Sequence, residues 1–85
     1  MFRLSQAKSP KQQNSDFYRT LSLNLRYFRH KRQLTQEQLA ARAEISAKYV
    51  SLIESSSFTN PPTLEVLFDL AASLEVEPFQ LFKPL

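Results

Sequence analysis

Eighty-five residues with 42% hydrophobic content, no cysteine, no glycine and a formal charge of +3 describe one small domain with a modest core. The lack of cysteine excludes disulfides and thiolate metal sites, and no apolar run approaches the roughly 20 residues that span a bilayer. The N-terminus MFRLSQAKSPKQQNSD lacks the apolar stretch of a secretory signal, so a cytoplasmic location is the expectation.

The charge is unevenly spread. Residues 1–57 hold ten Lys or Arg against Asp16, Glu37, Glu44 and Glu54, a net +6. Residues 58–85 hold Lys83 against Glu65, Asp69, Glu75 and Glu77, a net −3. A basic surface gains affinity for nucleic acid by releasing condensed counterions, whereas a merely solvated surface has the same composition.

Residues 1–15 are polar and read as a flexible basic arm, with Arg3, Lys8 and Lys11 available to a phosphate backbone or a minor groove. Phe2 and Leu4 are the two residues that would tuck it onto the domain. Asp16 is the expected cap of a first helix, in which Leu21, Leu25 and Phe28 recur at helical spacing. Its last turn is basic, which suits both the negative end of the helix dipole and phosphate.

Thr35 opens a second helix with Gln38 three residues on, the pattern of a capping box. Leu39, Ala40 and Ala43 form its inner face. After a tight turn at Glu44–Ile45, Ser46 caps a third helix that runs to about Glu54, with Val50 and Ile53 inward. The stretch SSSFTNPP is a loop. Thr63 caps a fourth helix, Leu64 to Leu74, with Leu64, Leu67, Phe68, Ala71 and Leu74 as its apolar stripe. Pro78 opens a short fifth helix in the favoured first position. No strand pattern or repeat is present, so the expected fold is all-α with five helices.

The second and third helices are too short to persist alone and must be held by packing. Two short helices joined by a tight turn suit DNA reading, the N-terminal residues of the second entering the major groove. Catalysis has little support. His30 is the lone histidine with no partner at a useful spacing, Glu37 and Glu54 make no convincing acid–base pair, and a glycine-rich phosphate loop needs glycine. No enzyme activity, cofactor or metal is expected. The apolar face of the basic first helix is needed for the core, which argues against a membrane role.

LRYFR (25–29), LTQEQLA (34–40), ISAKYVSLIE (45–54) and NPPTLEVLFDLAASLEVEPFQLF (60–82), in this order, resemble the Xre-type helix-turn-helix family. This is the fold of lambda-like phage repressors and restriction-modification controller proteins. The resemblance covers roughly residues 18–83 and implies a compact lambda-repressor-like domain over 16–85, ending in a dimerisation segment. It also implies a bacterial or phage regulator, a repressor or controller that binds a palindromic double-stranded operator as a homodimer in the nucleoid. An antitoxin-like module with a protein partner and secondary DNA binding is the alternative.

By matched position, Ser46, Ala47, Lys48, Ser51 and Leu52 are the base-reading candidates. Lys48 suits guanine O6 and N7, and Ala47 suits a thymine methyl. Ser46 is divided between capping and contact, and Leu52 between methyl contact and packing. Gln36, Tyr49, Asn60, Arg26 and Arg32 are the phosphate candidates, with Tyr49 equally open to packing. Arg29 and Glu54 match a pair that ties the first helix to the end of the third. Phe79, Leu81, Phe82 and Leu85 crowd a short segment and are the expected dimer interface. The resemblance also implies a left-handed residue at Glu44, where glycine is usual and another residue costs about 1 kcal/mol.

Overall fold

The computed structural model describes residues 9–57 and 60–85. Among them are four α-helices, α1 (Pro10–Lys31), α2 (Gln36–Ala43), α3 (Ala47–Glu54) and α4 (Leu64–Leu74), and no strand. The fifth element differs from the expected helix. Pro78–Leu81 is a single 3-10 turn, opened by the Glu77 amide donating to the Gln80 side chain at 2.8 Å.

Helix α1 is capped at Ser9, seven residues before the expected cap at Asp16. Ser9 and Gln12 form a capping box, with the Gln12 amide donating to the Ser9 hydroxyl and the Ser9 amide donating to the Gln12 side chain. Pro10 occupies the first helical position, where a missing N–H costs nothing. Residues 10–15 are therefore helix rather than arm, and the arm expected over residues 1–8 lies outside the described residues. Thr35, Ser46 and Thr63 cap α2, α3 and α4 through side chains that accept from Gln38, Tyr49 and Val66 amides. Each satisfies a donor that the first helical turn leaves over.

The helix ends share one device. Gln33, Glu44, Ser56 and Glu75 have φ between 57° and 59°, the left-handed conformation usually left to glycine. In each case the next residue's amide reaches back five residues. Leu34 bonds Arg29, Ile45 bonds Ala40, Ser57 bonds Leu52 and Val76 bonds Ala71, at 2.9–3.0 Å. This is the Schellman arrangement, which satisfies orphan carbonyls.

The core is one cluster to which every helix and the final turn contribute. Leu21 and Leu25 come from α1, Leu34 from the link to α2, and Leu39, Ala40 and Ala43 from α2. Val50 and Ile53 of α3, four residues of α4 and Leu81 complete it. Helix α2 packs on both α3 and α4, while α1 packs on α3 and on the 3-10 turn. On α4 the buried set is Leu67, Leu70, Ala71 and Leu74, not the expected stripe. Leu64, the first residue of the helix, and Phe68, which stands off the face shared by Leu67, Leu70, Ala71 and Leu74, are exposed.

Two buried polar residues of α1 fasten the ends of other elements. The Ser22 hydroxyl contacts the Tyr18 and Ile53 carbonyls and the Ser56 hydroxyl, securing the end of α3. The Asn24 amide nitrogen donates to the Leu81 and Lys83 carbonyls, both at 2.8 Å, and so holds the C-terminal segment. Its oxygen is buried without a protein partner.

Candidate nucleic-acid interface

Helix α3 is held close behind α2 because the connection is only Glu44, Ile45 and Ser46. Glu44 reverses the chain in the left-handed conformation (φ 58°, ψ 42°), Ile45 packs against the core, and Ser46 caps α3. Val50, Ile53 and Glu54 face inward. The outer side is thereby fixed. Ser46, Lys48 and Ser51 are exposed, and Leu52 is half-buried. Ala47 and Tyr49 flank this side and pack against the core. The Ser46 oxygen accepts from the Tyr49 amide at 3.0 Å, which leaves its proton free to donate.

Behind the exposed side lies a polar lock. The Glu54 carboxylate, 5% exposed, receives Arg29 Nε at 2.6 Å, Arg29 Nη2 at 2.9 Å and Gln36 Nε2 at 3.1 Å. Arg29 Nη1 donates onward to the Leu34 carbonyl at 2.8 Å, and Nη2 lies 3.3 Å from His30 Nε2. One carboxylate thus joins α1, α2 and α3. The Glu54 hydrogen bond holds the Arg29 guanidinium above its ordinary pKa, with desolvation opposing. A forked guanidinium on a carboxylate fixes both position and rotation, so the pair orients α3.

The remaining phosphate candidates divide. Gln36 is the first residue of α2 and half-buried, with its side chain already donating to Glu54. Asn60 is exposed just before the two prolines. Arg26 is exposed and donates to the Glu54 carbonyl at 3.3 Å. Arg32 is exposed and is also engaged by α4. Its Nε donates to the Leu74 carbonyl at 2.8 Å and its Nη2 to the Glu75 carbonyl at 3.3 Å, so it satisfies the C-terminus of α4.

The C-terminal group also divides. Phe79, Phe82 and Leu85 are exposed, but Leu81 is fully buried in the domain's own core and is removed from the expected dimer interface. A 3-10 turn of four residues turns one side chain inward, and Leu81 is that one. Sequence reasoning missed Ser22 and Asn24. In LSLNL the leucines alternate, so the polar residues between them carry no sign of burial.

Among the described residues no group of His, Cys, Asp or Glu is placed to hold a metal, and no helix is long and apolar enough to cross a membrane. A short helix with an exposed polar side, locked from behind and set beside a second helix N-terminus, defines a helix-turn-helix domain.

Comparison with known proteins agrees. The helix-turn-helix family HTH_3 matches residues 25–81, and the chain belongs to it. Among solved structures it is similar to a hypothetical transcription factor from Neisseria, NHTF, at 31% identity. The TM-score is 0.76, over 82% of this chain and 76% of that one. It is also similar to the restriction-modification controller protein C.AhdI from Aeromonas hydrophila, at 29% identity and a TM-score of 0.71. That match covers 76% of this chain and 96% of the other. No curated protein matches the sequence significantly. By family this is a DNA-binding transcription regulator of the Xre type, not an enzyme.

Proposed function

We propose that the chain is a sequence-specific regulator, a repressor or controller, that reads a palindromic double-stranded operator as a dimer. The observation that carries this is the locked geometry of α3. Lys48 and Ser51 stand exposed while Glu54, buried in the last turn of the same helix, is clamped by Arg29 and Gln36. Lys48 donates to guanine O6 and N7, Ala47 and Leu52 meet thymine methyl groups, and Ser46 and Ser51 supply hydroxyls. At the start of α2 the backbone amides and the remaining Gln36 N–H hold a phosphate. Asn60, Tyr49 and Arg26 extend the backbone grip. Two half-sites one helical turn apart require two copies, for which exposed Phe79, Phe82 and Leu85 supply an apolar surface. The restriction-modification role in the name of one relative and the transcription-factor role in the other both favour such a regulator.

Lys48→Ala, measured on an operator selected from random duplexes and on a scrambled one, tests the reading. On the operator it should cost about 1–3 kcal/mol and relax one position in each half-site. On scrambled DNA the loss should be small. Equal losses on both would remove Lys48 from base reading.

A further inference from the structure

Helix α1 turns Leu21, Leu25 and Arg29 inward, which places Leu23 and Tyr27 on the side farthest from the core. They are 49% and 45% exposed. A shallow groove of about 540 Å³ runs over them, lined by Leu23, Arg26, Tyr27, His30 and Lys31. Its borders are basic, since Arg19, Arg26 and Lys31 are all exposed and Lys31 Nζ sits 5.8 Å from the Tyr27 ring centre. The single acid of α1, Asp16, lies one turn before Arg19 and two turns before Leu23 on the same side of the helix, so the basic border is strongest from Arg26 to Lys31. DNA phosphate would account for the cations but gives no reason for a leucine and a tyrosine at the crest.

Helix α4 presents the complement. With Leu67, Leu70, Ala71 and Leu74 inward, its outer side carries exposed Glu65 and Asp69 beside Phe68, which is 52% exposed. The helix contains no Lys or Arg. One chain therefore owns an apolar crest with basic flanks and an apolar crest with acidic flanks.

We infer that the outer side of α1 docks on the outer side of α4 of a second copy. Pairing α1 with α1 sets Arg19, Arg26 and Lys31 against like charges, and pairing α4 with α4 does the same for Glu65 and Asp69. The mixed pairing brings opposite signs together and covers Leu23, Tyr27 and Phe68. Such a contact joins unlike surfaces, so it is distinct from a two-fold contact through Phe79, Phe82 and Leu85, and one chain has room for both. Used once between two copies it leaves a free α1 and a free α4 for further copies, and used twice, reciprocally, it closes a two-fold pair.

Charge reversal with mixing tests it. The full-length wild type, Arg19→Glu/Lys31→Glu, Glu65→Lys/Asp69→Lys and an equimolar mixture of the two variants are compared by sedimentation velocity in low salt. Far-ultraviolet circular dichroism first establishes that each is folded. Each reversal alone should lower the α1–α4 association constant at least tenfold, and the mixture should regain it. Leu23→Ser, which leaves every charge in place, should weaken the wild type similarly. Association that persists unchanged in both reversals belongs to the C-terminal surface and overturns the inference. A mixture that associates no better than its components overturns it too. So does a reversal on α1 that weakens DNA binding while leaving self-association intact, which would give that face to the phosphates.

Discussion

The two joints made by α1 are built from different chemistry. Against α3 it offers Ser22 and Arg29, and the contact is organised by hydrogen bonds to the Ile53 carbonyl and the Glu54 carboxylate. Against the C-terminal segment it offers Asn24, but the surrounding core of Leu67, Leu70, Leu74 and Leu81 is hydrocarbon. Hydrocarbon contacts tolerate small rotations and contribute in proportion to area. A bidentate guanidinium tolerates little, and its desolvation offsets much of its attraction. The polar joint thus sets the pose of α3, while the apolar joint supplies stability. Removing either should have different consequences.

The largest effect is expected from Glu54→Ala, which strands a buried Arg29 and should cost about 3–5 kcal/mol in urea denaturation. The double change Arg29→Met/Glu54→Leu sharpens the comparison. It should recover most of that stability yet lose operator selectivity, because the forked contact that orients α3 is gone and only the Ser22 and Arg26 contacts to its last turn remain. A double variant that is stable and fully selective would show that hydrocarbon sets the pose just as well.

On the apolar side, Leu81→Ala should cost about 2–5 kcal/mol, whereas Leu85→Ala should leave the urea midpoint nearly unchanged. Equal midpoints for the two would contradict the burial of Leu81. Asn24→Ala removes two donors from the Leu81 and Lys83 carbonyls and should cost about 1–3 kcal/mol. Hydrogen exchange should then rise at residues 78–83 while α3 keeps its protection. A smaller change is a gain. Glu44→Gly or Glu75→Gly relieves a left-handed residue at some cost in unfolded-chain entropy and should stabilise by about 0.5–1 kcal/mol, read from thermal melting.

The two joints were not equally legible in the sequence. Arg29 and Glu54 stand at spaced positions of a recognisable pattern, and capping signals at Thr35, Ser46 and Thr63 mark where α2, α3 and α4 begin. The start of α1 was misplaced because Asp16 is a good cap in isolation. The Ser9–Pro10–Gln12 signal, whose cap lies seven residues earlier, is the one the chain uses. On the apolar side, hydrophobicity alone could not rank Leu64, Phe68 and Leu70, since all three are large. The partner helix α2 decides which face turns in. Leu81 and Phe82 were indistinguishable for the same reason, and the contact of Arg32 with the end of α4 was not visible because those carbonyls lie some forty residues away in sequence.

The left-handed helix ends have a consequence at the level of the gene. Glu44 and Glu75 both sit in that conformation, and either glutamate codon becomes a glycine codon by one A-to-G transition. Two single-nucleotide steps, neither on the exposed side of α3, therefore hold on the order of 1–2 kcal/mol in reserve. That is comparable to what a typical substitution removes. A lineage changing exposed residues of α3 such as Lys48 or Ser51, the proposed base readers, can draw on that reserve, which leaves this surface freer to mutate than a fold of this size would suggest.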